Sequence, residues 1–508
     1  MTVGSRDDAG TAPTLAPTHE IDGRKRPAVA LLLIAAGTAL RMAYLSQPMR
    51  YDEAVTYLYF ATRSWLTVFA SYRYPNNHIF HTALVKISTS ALGNAPWAIR
   101  IAALAFGVGT LGLTFLVGRR LVGTPAAWLG TAIVAASGPL ILYSTNARGY
   151  SIVGCATLLM LLLLLRLRER ASRLEWLGVV ATATLGLWTI PVMLYPAGGL
   201  ALWFVWSAAV GDTSEPKKDV RRLVLAVVAT GVATAVVYSP VVLAQGMQPL
   251  VGNQFVTAST WSDFGRDMIA AVPDLLKSWS IGVPQVVTLA LFVLAIVGEF
   301  ASRRRRERRV SLAGALALWC LLVLLLTHRV PFVRVALFSL PLVALLSGLG
   351  IVELLARVVA PTKLGTTAAL TSVVVLGLLS VSVATSRAVL TSTETGTLRN
   401  AEEMTTVLRT ILRPGDRVLA PVPSAAPLSY YFTRAGLDAS YLTATPSPTG
   451  HVYLVVNNAE GFTIESPIRG EPFLQRFTNA QLLRAFPDSA APAAELYQLS
   501  ASGASGVR

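Results

Sequence analysis

The sequence has few charged residues and almost no cysteine. Only 14% of its 508 residues are charged, well below the roughly 25% typical of soluble proteins. Its two cysteines, Cys155 and Cys320, both lie inside apolar runs and lack metal-site spacing, so neither a disulfide framework nor a zinc site is expected. With 53% hydrophobic residues, the composition excludes a soluble protein and predicts an integral membrane protein.

Acidic residues are also scarce, with 27 against 43 basic ones and a net charge of +16. The basic residues stand in short clusters between apolar runs, and no basic face interleaved with aromatic residues is visible. This pattern is typical of the loops on the cytoplasmic side of a membrane protein and not of a nucleic-acid-binding surface. The expected surroundings are a lipid bilayer, with no nucleic-acid partner.

Apolar runs of about 20 residues, the length that crosses a bilayer, recur along the chain. They predict a polytopic α-helical membrane protein with about eleven transmembrane helices, at roughly 27–46, 98–118, 124–143, 149–166, 175–190, 192–210, 222–243, 284–301, 310–327, 332–356 and 364–385. The polar residues 1–26 before the first run are interpreted as a disordered tail. No cleavable signal peptide is expected, because the first run is long enough to remain as an anchor.

Basic loops set the predicted orientation. The cluster at 24–26 places the N-terminus in the cytoplasm, and five later basic loops fall on the same side when the crossings are counted. The chain is therefore expected to cross the plasma (inner) membrane many times, with the 47–97 loop, the 244–283 loop and everything after 385 outside. The break at Thr189-Ile190-Pro191 matters most, since one continuous helix there would reverse everything downstream.

The last part of the chain, 386–508, has a different pattern. Helical spacing at 398–412 and 425–435 alternates with short strand-like runs at 417–420 and 451–456. This alternation predicts a small soluble α/β domain on the outer, extracytoplasmic side, following a transmembrane domain at 27–385.

The 47–97 loop is too long for a plain connection and is expected to have structure of its own. From Asp52 to Phe69, apolar and aromatic residues recur at helical spacing, which predicts a helix lying in the membrane interface. A second interfacial helix is predicted from about His78 to Leu92.

The acid pair Asp52-Glu53 opens this loop. A carboxylate at a helix start is often only a partner of the helix dipole, and that interpretation stays open. Beside Arg50 and at head-group level, however, a carboxylate suits a general base that takes a proton from an acceptor hydroxyl. Adjacent helical residues diverge, so one acid is expected to be the base. We predict Asp52, with Glu53 and Arg50 orienting it or contacting the acceptor.

Further along the loop, Tyr74, Asn77, His78 and His81 are predicted to contact the acceptor. The alternative is structural: Asn77 would be the N-cap of the second helix, and the histidines would touch lipid head groups. The i, i+3 spacing of the histidines would also permit a divalent metal, which we do not favour. No cofactor is expected.

Cationic residues at the outer ends of later helices are predicted to bind a phosphate. Arg148 and Tyr150 stand at the start of the fourth predicted span, and His328, Arg329 and Arg334 at the start of the tenth. A guanidinium matches the geometry of a phosphate. The alternative is that these side chains only reach for the membrane surface.

The order of these segments resembles the GT-C class of membrane glycosyltransferases. It looks like that of the bacterial members of the protein O-mannosyltransferase superfamily, including the aminoarabinose transferases acting on lipid A. The resemblance rests on Asp-Glu after the first span, Tyr-Pro-Asn-Asn-His, Ala-Arg-Gly-Tyr before the fourth span, and an Arg followed by Ser-Leu-Pro in a late one. It covers about 27–385. The segment with His78 departs from the more usual proline-rich version.

The resemblance implies an inverting transfer of a sugar from a polyprenyl-phosphate donor, with the catalytic acid in the first outer loop at Asp52. A phosphate is already a good leaving group, so one base and cationic stabilisation suffice. The acceptor is left open among cell-envelope glycans, lipids and proteins. A flippase or transporter for lipid-linked saccharides is the alternative, and an O-antigen polymerase or ligase is a third interpretation.

Overall fold

A computed structural model of the protein describes residues 25–170, 172–252, 256–304, 310–443, 445–447, 450–465, 477–488 and 491–501. The predicted disordered tail lies outside these ranges up to residue 24, and its last two residues begin the first helix. Parts of the basic loops used above for orientation, at 24, 171 and 305–309, also lie outside the described residues.

Helices dominate the described chain up to Ser386. In order they are α1 (Lys25–Ala43), α2 (Tyr51–Thr56), α3 (Trp65–Ala70), α4 (Ile79–Leu92), α5 (Pro96–Leu121), α6 (Thr124–Ala135), α7 (Gly138–Ser144), α8 (Tyr150–Glu169), α9 (Arg173–Thr189), α10 (Leu194–Ala209), α11 (Pro216–Gln245), α12 (Gln248–Val251), α13 (Trp261–Trp279), α14 (Gln285–Arg304), α15 (Leu312–Thr327), α16 (Leu340–Leu355) and α17 (Pro361–Ser386). A π-helical turn, Tyr57–Ala61, continues α2, and 3-10 turns at Pro191–Met193 and Val333–Ser339 precede α10 and α16.

Seven helical segments of the described chain are long and apolar enough to cross a membrane. They are α5, α8, α10 and α16 with their preceding turns, α11, α14 and α17, and the bent pair α6–α7 makes an eighth if it is one span. The protein is thus a multi-pass helical membrane protein. The three other predicted spans coincide with α1, α9 and α15. The apolar part of α1, Pro27–Ala43, falls short of the length counted as a span, and α9 and α15 have 17 and 16 residues. Eleven crossings therefore stay a prediction.

Two helix breaks shape the bundle. Helix α9 ends at Thr189, and the chain is extended just before Pro191, so a helix end lies at the predicted break. Helices α6 and α7 meet at 63°. At that bend the buried Arg41 of α1 donates hydrogen bonds to the carbonyls of residues 134 and 135, at 3.2 and 2.9 Å. A buried arginine thereby supplies donors at a break where the regular helix ladder stops.

Helix α16 packs closely against α6 on one side and α14 on the other. A Cβ added at Gly348 would lie 2.5 Å from the carbonyl oxygen of Ala126, and one at Gly350 would lie 2.1 Å from that of Leu294. Small residues at such crossings let membrane helices approach backbone to backbone. The packing fixes the position of the turn that precedes α16, which bears Arg334.

The first outer loop contains two short helices, and the single helix predicted from Asp52 to Phe69 is wrong. The π-helical turn after α2 ends at Ala61, and α3 starts only at Trp65. The hydroxyl of Ser64 accepts a hydrogen bond from the N–H of Thr67 at 3.2 Å and caps α3. A serine cap competes with helix continuation, which explains the break despite the helical spacing of apolar residues.

After α17 the chain forms α18 (Ala388–Thr391), α19 (Ala401–Ile411), α20 (Ala425–Ala435) and a four-stranded mixed sheet. The strands are β1 (Arg417–Leu419), β2 (Val452–Asn457), β3 (Phe477–Asp488) and β4 (Ala491–Ala501), in the order β1-β2-β4-β3 with β1 parallel to β2. The predicted helices and the first two strands are present within three residues of their expected bounds. The β3–β4 hairpin was not foreseen.

Candidate active site

One member of the acid pair in the first loop, Glu53, belongs to a buried ion pair. Glu53, in the first turn of α2, and Arg100, near the start of α5, are both fully buried and form a salt bridge. The Nε of Arg100 also donates to Oε2 of Glu53 at 2.9 Å. The backbone N–H groups of Arg50 and Ala147 donate to the two carboxylate oxygens, each at 2.9 Å. Four donors match the acceptor capacity of one carboxylate, so the geometry supports the orienting role predicted for Glu53 and leaves no oxygen for an acceptor.

The guanidinium of Arg50 is directed at the chain that follows α17. It donates 2.6 Å hydrogen bonds to the carbonyls of Val389 and Ser392, and burial lowers the pKa of Arg50 to about 10. These bonds fasten α2 to the segment that leads into the sheet. The geometry does not support the predicted acceptor contact of Arg50, because its charged end is used inside the protein.

The same later segment forms one side of the site. The N–H of Asp52 donates to the carbonyl of Thr395 at 3.2 Å, and Nδ2 of Asn146 donates to the Thr395 hydroxyl at 3.0 Å. Arg50 and Thr397 form an isolated antiparallel bridge. Residues 394–397 are called the docking segment below. The predicted soluble domain thus begins in direct contact with the acid loop.

Asp52 has a much looser environment than Glu53. Its Oδ1 accepts a hydrogen bond from Nδ2 of Asn76 at 2.9 Å, and its Oδ2 lies 3.7 Å from Nε of Arg148. Among the described residues Oδ2 accepts no hydrogen bond. Within the described ranges, Arg148 donates one long hydrogen bond, from Nη1 to the carbonyl of Asn76 at 3.3 Å. The arrangement leaves a carboxylate oxygen and a guanidinium side by side with unused bonding capacity.

His78 and His81 are buried and neutral. Nδ1 of His78 accepts the N–H of Gly149 at 2.8 Å, which places the ring proton on Nε2. Burial, and next Arg148, lower the pKa of His78 well below its usual 6.5 and that of His81 to about 3. Neither nitrogen of His81 has a hydrogen-bond partner within the part of the chain that the structure describes. In the same part, no group of three or more His, Cys, Asp or Glu side chains could hold a metal.

The close contact of His78 with the turn before α8 requires a glycine. A Cβ at Gly149 would lie 2.3 Å from Cγ2 of Thr189 and 3.1 Å from Nδ1 of His78. The Ala-Arg-Gly-Tyr turn therefore owes its glycine to packing against α9 and His78.

Arg334 reaches the same region from the other side of the bundle. Its Nε donates to the hydroxyl of Tyr150 at 3.0 Å, and its Nη1 donates to the carbonyl of Glu394 at 3.2 Å. The guanidinium carbon lies 4.2 Å from the ring centre of Phe332, and Asp52 interacts with its charge. Arg148 and Arg334 each lie 6.0 Å from the ring centre of Tyr150. Two guanidinium groups around one phenol form a suitable site for an oxyanion.

The predicted location of Arg334 inside an α-helix is wrong. The residue lies on the 3-10 turn Val333–Ser339, and α16 begins at Leu340 with Pro341 in its first turn. Proline suits the first turn of a helix, where its missing N–H costs nothing. The helix therefore starts later than the apolar run suggests, and the turn presents Arg334 to the site.

His328 and Arg329 are not brought to this cluster. The ring of His328 lies 3.9 Å from that of Trp261, centre to centre, and its backbone adopts a left-handed conformation at φ 49°. Arg329 is half-buried and donates to the carbonyl of Val251 at 3.3 Å. These contacts attach the turn after α15 to Val251 and to the start of α13. They do not support the phosphate-binding role predicted for the two residues.

Tyr74 and Asn77 lie at the edge of the first loop. Tyr74 is 47% exposed and stacks on Tyr59, with ring centres 6.1 Å apart. Asn77 is buried, and its Nδ2 donates to the carbonyls of Val68 and Ser71 at 3.0 and 2.6 Å. The alternative that Asn77 caps α4 is wrong, because His78 is the N-cap residue and makes no side-chain cap bond. Asn77 instead ties the loop to α3.

Three site residues escaped the sequence analysis as individual candidates: Asn76, Arg100 and Glu394. Arg100 had a usable signal, since a charged residue near the start of an apolar span is costly unless it has a partner. Asn76 was considered only as part of its segment. Glu394 had no signal, because it lies in a polar connection far from Asp52 in sequence.

Two cavities adjoin the cluster. The first has a volume of about 440 Å³ and lies among α13, α15 and α16, where its walls are mainly apolar. The second has a volume of about 760 Å³ and is bordered by α13 and residues 391–394, and its walls combine apolar residues with hydroxyl and charged groups. Ala271 and residues 330–333 line both. A mainly apolar space and one that carries polar groups therefore meet at residues 330–333, next to Arg334.

Comparison with solved structures extends over almost the whole chain. ArnT from Cupriavidus metallidurans in the apo state matches with a TM-score of 0.61 at 12% identity, covering 93% of this chain and 98% of that one. The fold is that of the GT-C membrane glycosyltransferases. ArnT bound to undecaprenyl phosphate gives 0.56 at 12% identity, covering 92% of this chain and 97% of that one.

A further GT-C match is the Archaeoglobus fulgidus oligosaccharyltransferase tethered with an acceptor peptide, at a TM-score of 0.50 and 10% identity, covering 95% of this chain and 74% of that one. No protein-family model matches the sequence, and neither does any curated protein. The predicted resemblance to the GT-C class is thus confirmed at the level of fold.

Proposed function

We propose that the protein is an inverting glycosyltransferase that moves a sugar from a polyprenyl-phosphate donor to an acceptor hydroxyl. The observation that carries this proposal is Asp52 in a GT-C fold, a carboxylate with one oxygen that accepts no hydrogen bond from the described residues. It lies beside the buried Arg148, and the half-buried Arg334 is close enough for the two charges to interact. A general base next to an anion site is the minimum machinery that such a transfer needs. The acceptor belongs to a cell-envelope glycan, a lipid or a protein.

The donor lipid is accommodated by two adjoining features, one for its prenyl chain and one for its phosphate. The apolar cavity beside α15 takes the prenyl chain, and Arg148, Arg334 and Tyr150 take the phosphate. The similarity in fold to a structure of ArnT bound to undecaprenyl phosphate supports a lipid-phosphate ligand. Guanidinium groups bind phosphate with two parallel hydrogen bonds, which fixes its orientation as well as its charge.

The reaction balances without a general acid. Asp52 Oδ2 takes the proton of the acceptor hydroxyl, and the acceptor oxygen attacks the anomeric carbon from the face opposite the phosphate. The bond between the anomeric carbon and the phosphate oxygen breaks, and polyprenyl phosphate leaves with the electron pair. Arg148 and Arg334 stabilise the charge that develops on the departing phosphate. Configuration at the anomeric carbon is inverted because a single displacement occurs.

The neighbours of Asp52 act by holding these groups in place. Asn76 bonds both Asp52 and Arg148, and Glu53 fixes the start of α2. Neutral His78 fastens the turn that bears Arg148. Tyr74, which is half exposed at the rim of the loop, is available to the acceptor.

The proposed topology has eleven spans at 27–385 and a cytoplasmic N-terminus. The acid loop 47–97 and the α/β domain at 386–508 then face outward from the plasma membrane. Support comes from the basic loops of the sequence and from the contact between the docking segment and the acid loop, which requires both on one side.

The test is a transfer assay in proteoliposomes with labelled polyprenyl-phosphate sugars and an extract of envelope acceptors. We expect labelled acceptor, release of bare polyprenyl phosphate in equal amount and an inverted anomeric configuration. Movement of intact lipid-linked sugar across the bilayer without release of polyprenyl phosphate would instead identify a flippase. Retention of configuration would reject the single displacement.

A further inference from the structure

The cavity bordered by α13 and residues 391–394, called the polar cavity below, presents hydroxyl and carboxylate groups among apolar residues such as Phe332 and Val333. Its hydroxyls belong to residues at the C-terminal end of α13 and on the chain after α17, namely Ser278, Ser280, Thr391, Ser392 and Thr393. Its charged groups are Asp267, Asp274, Glu394 and Lys277, so carboxylates outnumber cations by three to one. Such a wall offers many hydrogen-bond partners to a polyhydroxylated ligand and repels an anionic one.

Glu394 is the best-placed of these carboxylates. One oxygen, Oε2, accepts a hydrogen bond from the hydroxyl of Tyr143 at 3.1 Å, which holds the side chain in position. The other, Oε1, accepts none from the described part of the chain. The carbonyl of the same residue accepts the hydrogen bond from Arg334. Glu394 therefore combines a fixed carboxylate, an oxygen with unused bonding capacity and direct contact with Arg334, the residue proposed to bind the phosphate.

The order of surfaces matches the order of groups in a lipid-linked sugar. The apolar cavity leads to residues 330–333, Arg334 stands beside Phe332, and the polar cavity begins at the same residues. A lipid with its chain in the first cavity and its phosphate at Arg334 directs the group attached to the phosphate toward the second. That group is the donor sugar and not the acceptor.

We propose that the polar cavity holds the sugar ring of the donor, and that Glu394 Oε1 determines specificity by accepting hydrogen bonds from the sugar hydroxyls. The expected ligand is an uncharged, polyhydroxylated sugar. This inference rests on the proposed function, because it takes the lipid phosphate at Arg334 as given. It adds two points to that function: the residue that recognises the sugar, and the expectation that the sugar is uncharged.

The test compares lipid phosphates with and without a sugar, using the full chain in lipid nanodiscs. The probes are bare decaprenyl phosphate and its mannose, arabinose and glucuronic acid derivatives, and the measurement is the dissociation constant. The native protein is expected to bind at least one neutral-sugar lipid more tightly than the bare lipid, and the glucuronate no more tightly. Glu394→Gln should reduce that ratio about tenfold and leave the bare lipid unchanged, because a charge-assisted hydrogen bond becomes a neutral one.

Glu460→Gln is the matched control. The Glu460 carboxylate accepts the N–H of Thr397 at 2.8 Å, close to Glu394 in the fold but not among the residues that line the cavity, so the affinity ratio should stay as in the native protein. If Glu394→Gln does not fold, Glu394→Asp tests the same point, because the shorter side chain withdraws the carboxylate from the cavity. The affinity for the neutral-sugar lipid should then fall to that for the bare lipid.

Several results would overturn the inference. One is equal affinity of the native protein for bare and sugar-bearing lipids, and another is an unchanged ratio in Glu394→Gln. Weaker binding of the bare lipid in Glu394→Gln would indicate a purely structural role. An increased KM for the acceptor at an unchanged ratio would assign the cavity to the acceptor. Failure of the native protein to bind any of these lipid phosphates would reject the proposed function itself.

Discussion

Asp52 and Glu53 are adjacent in sequence, yet they lie in opposite environments. The carboxylate of Glu53 is fully buried and accepts four hydrogen bonds, two from Arg100 and two from backbone N–H groups. Asp52 has one hydrogen bond from a neutral amide and a guanidinium 3.7 Å away. A carboxylate with every acceptor position occupied can only hold structure, whereas one with spare capacity can exchange a proton.

The arginines paired with the two acids repeat the contrast. Besides Glu53, Arg100 donates to the carbonyls of residues 45, 47 and 48, at 2.8, 2.6 and 2.9 Å. Arg148 makes one bond of 3.3 Å, and its Nε has no hydrogen-bond partner among the described residues. A buried donor without a partner is costly, and such costs are commonly retained where a ligand will supply the partner. We call Glu53 and Arg100 the locked side of the loop, because their polar atoms are fully bonded. Asp52 and Arg148, which have unused bonding capacity, are the open side.

The largest effect is expected on the open side, from Asp52→Asn. The amide keeps the shape but cannot take a proton, so the transfer rate should fall by about 10²- to 10⁴-fold. Thermal stability and the dissociation constant for bare polyprenyl phosphate should change little. Transfer at the native rate would show that Asp52 is not the base.

On the locked side, Glu53→Gln is expected to act on stability. Removal of one partner of a buried ion pair leaves Arg100 charged and unpaired, at a cost of about 3–5 kcal/mol. The expected result is a large drop in the melting temperature in detergent. The activity per folded molecule should fall far less than in Asp52→Asn, and an equal fall would abolish the distinction between the two acids.

The buried His81, beside the open side, is expected to make stability depend on pH. Its pKa is about 3 in the folded protein and 6.5 in the unfolded chain, so the unfolded state binds the proton more readily. Stability is then fully present above pH 6.5 and is lost as the pH falls, by about 2 kcal/mol between pH 7 and 5. His81→Leu should flatten a plot of melting temperature against pH. His451→Gln, which changes a half-exposed histidine, should not.

The smallest effect separates two arginines of one short segment. Arg334→Gln should weaken binding of bare polyprenyl phosphate about tenfold, because one charge-assisted contact with phosphate is lost. Arg329→Gln, five residues earlier, should leave it unchanged within twofold, since the guanidinium of Arg329 is bonded to the carbonyl of Val251 and lies outside the proposed phosphate site. The measurement is a titration of both variants at one ionic strength. Equal weakening would show that the open side extends to the turn after α15.

The sequence was sufficient for the class of fold and for Asp52, Arg148, Tyr150 and Arg334 as residues of one neighbourhood. Hydropathy locates helices because the bilayer imposes their length, and charge in an apolar context is conspicuous. Helix ends were less predictable. Ser64 ends the helical pattern of the first loop and Pro341 delays the start of α16, although apolar spacing continues through both.

What escaped prediction depends on contacts between distant parts of the chain. The docking segment lies in a polar connection without periodicity, so nothing in it signals proximity to Asp52. The same limit explains why Glu53 and Arg50 looked like acceptor contacts. Only the fold shows that Glu53 is already paired with Arg100 and that the guanidinium of Arg50 is already bonded to the chain after α17. His328 and Arg329 are near Arg334 in sequence, but their contacts with Trp261 and Val251 keep them out of the cluster that contains Arg334.

The bridge between the acid loop and the docking segment has a consequence for synthesis of the protein. Arg50 is bonded to Ser392, which the ribosome adds 342 residues later. A chain still being inserted into the membrane already contains the acid loop, but nothing yet holds it in place. We therefore expect the nascent protein to stay catalytically silent until α17 has been inserted, so that partly made copies in the membrane consume no donor lipid.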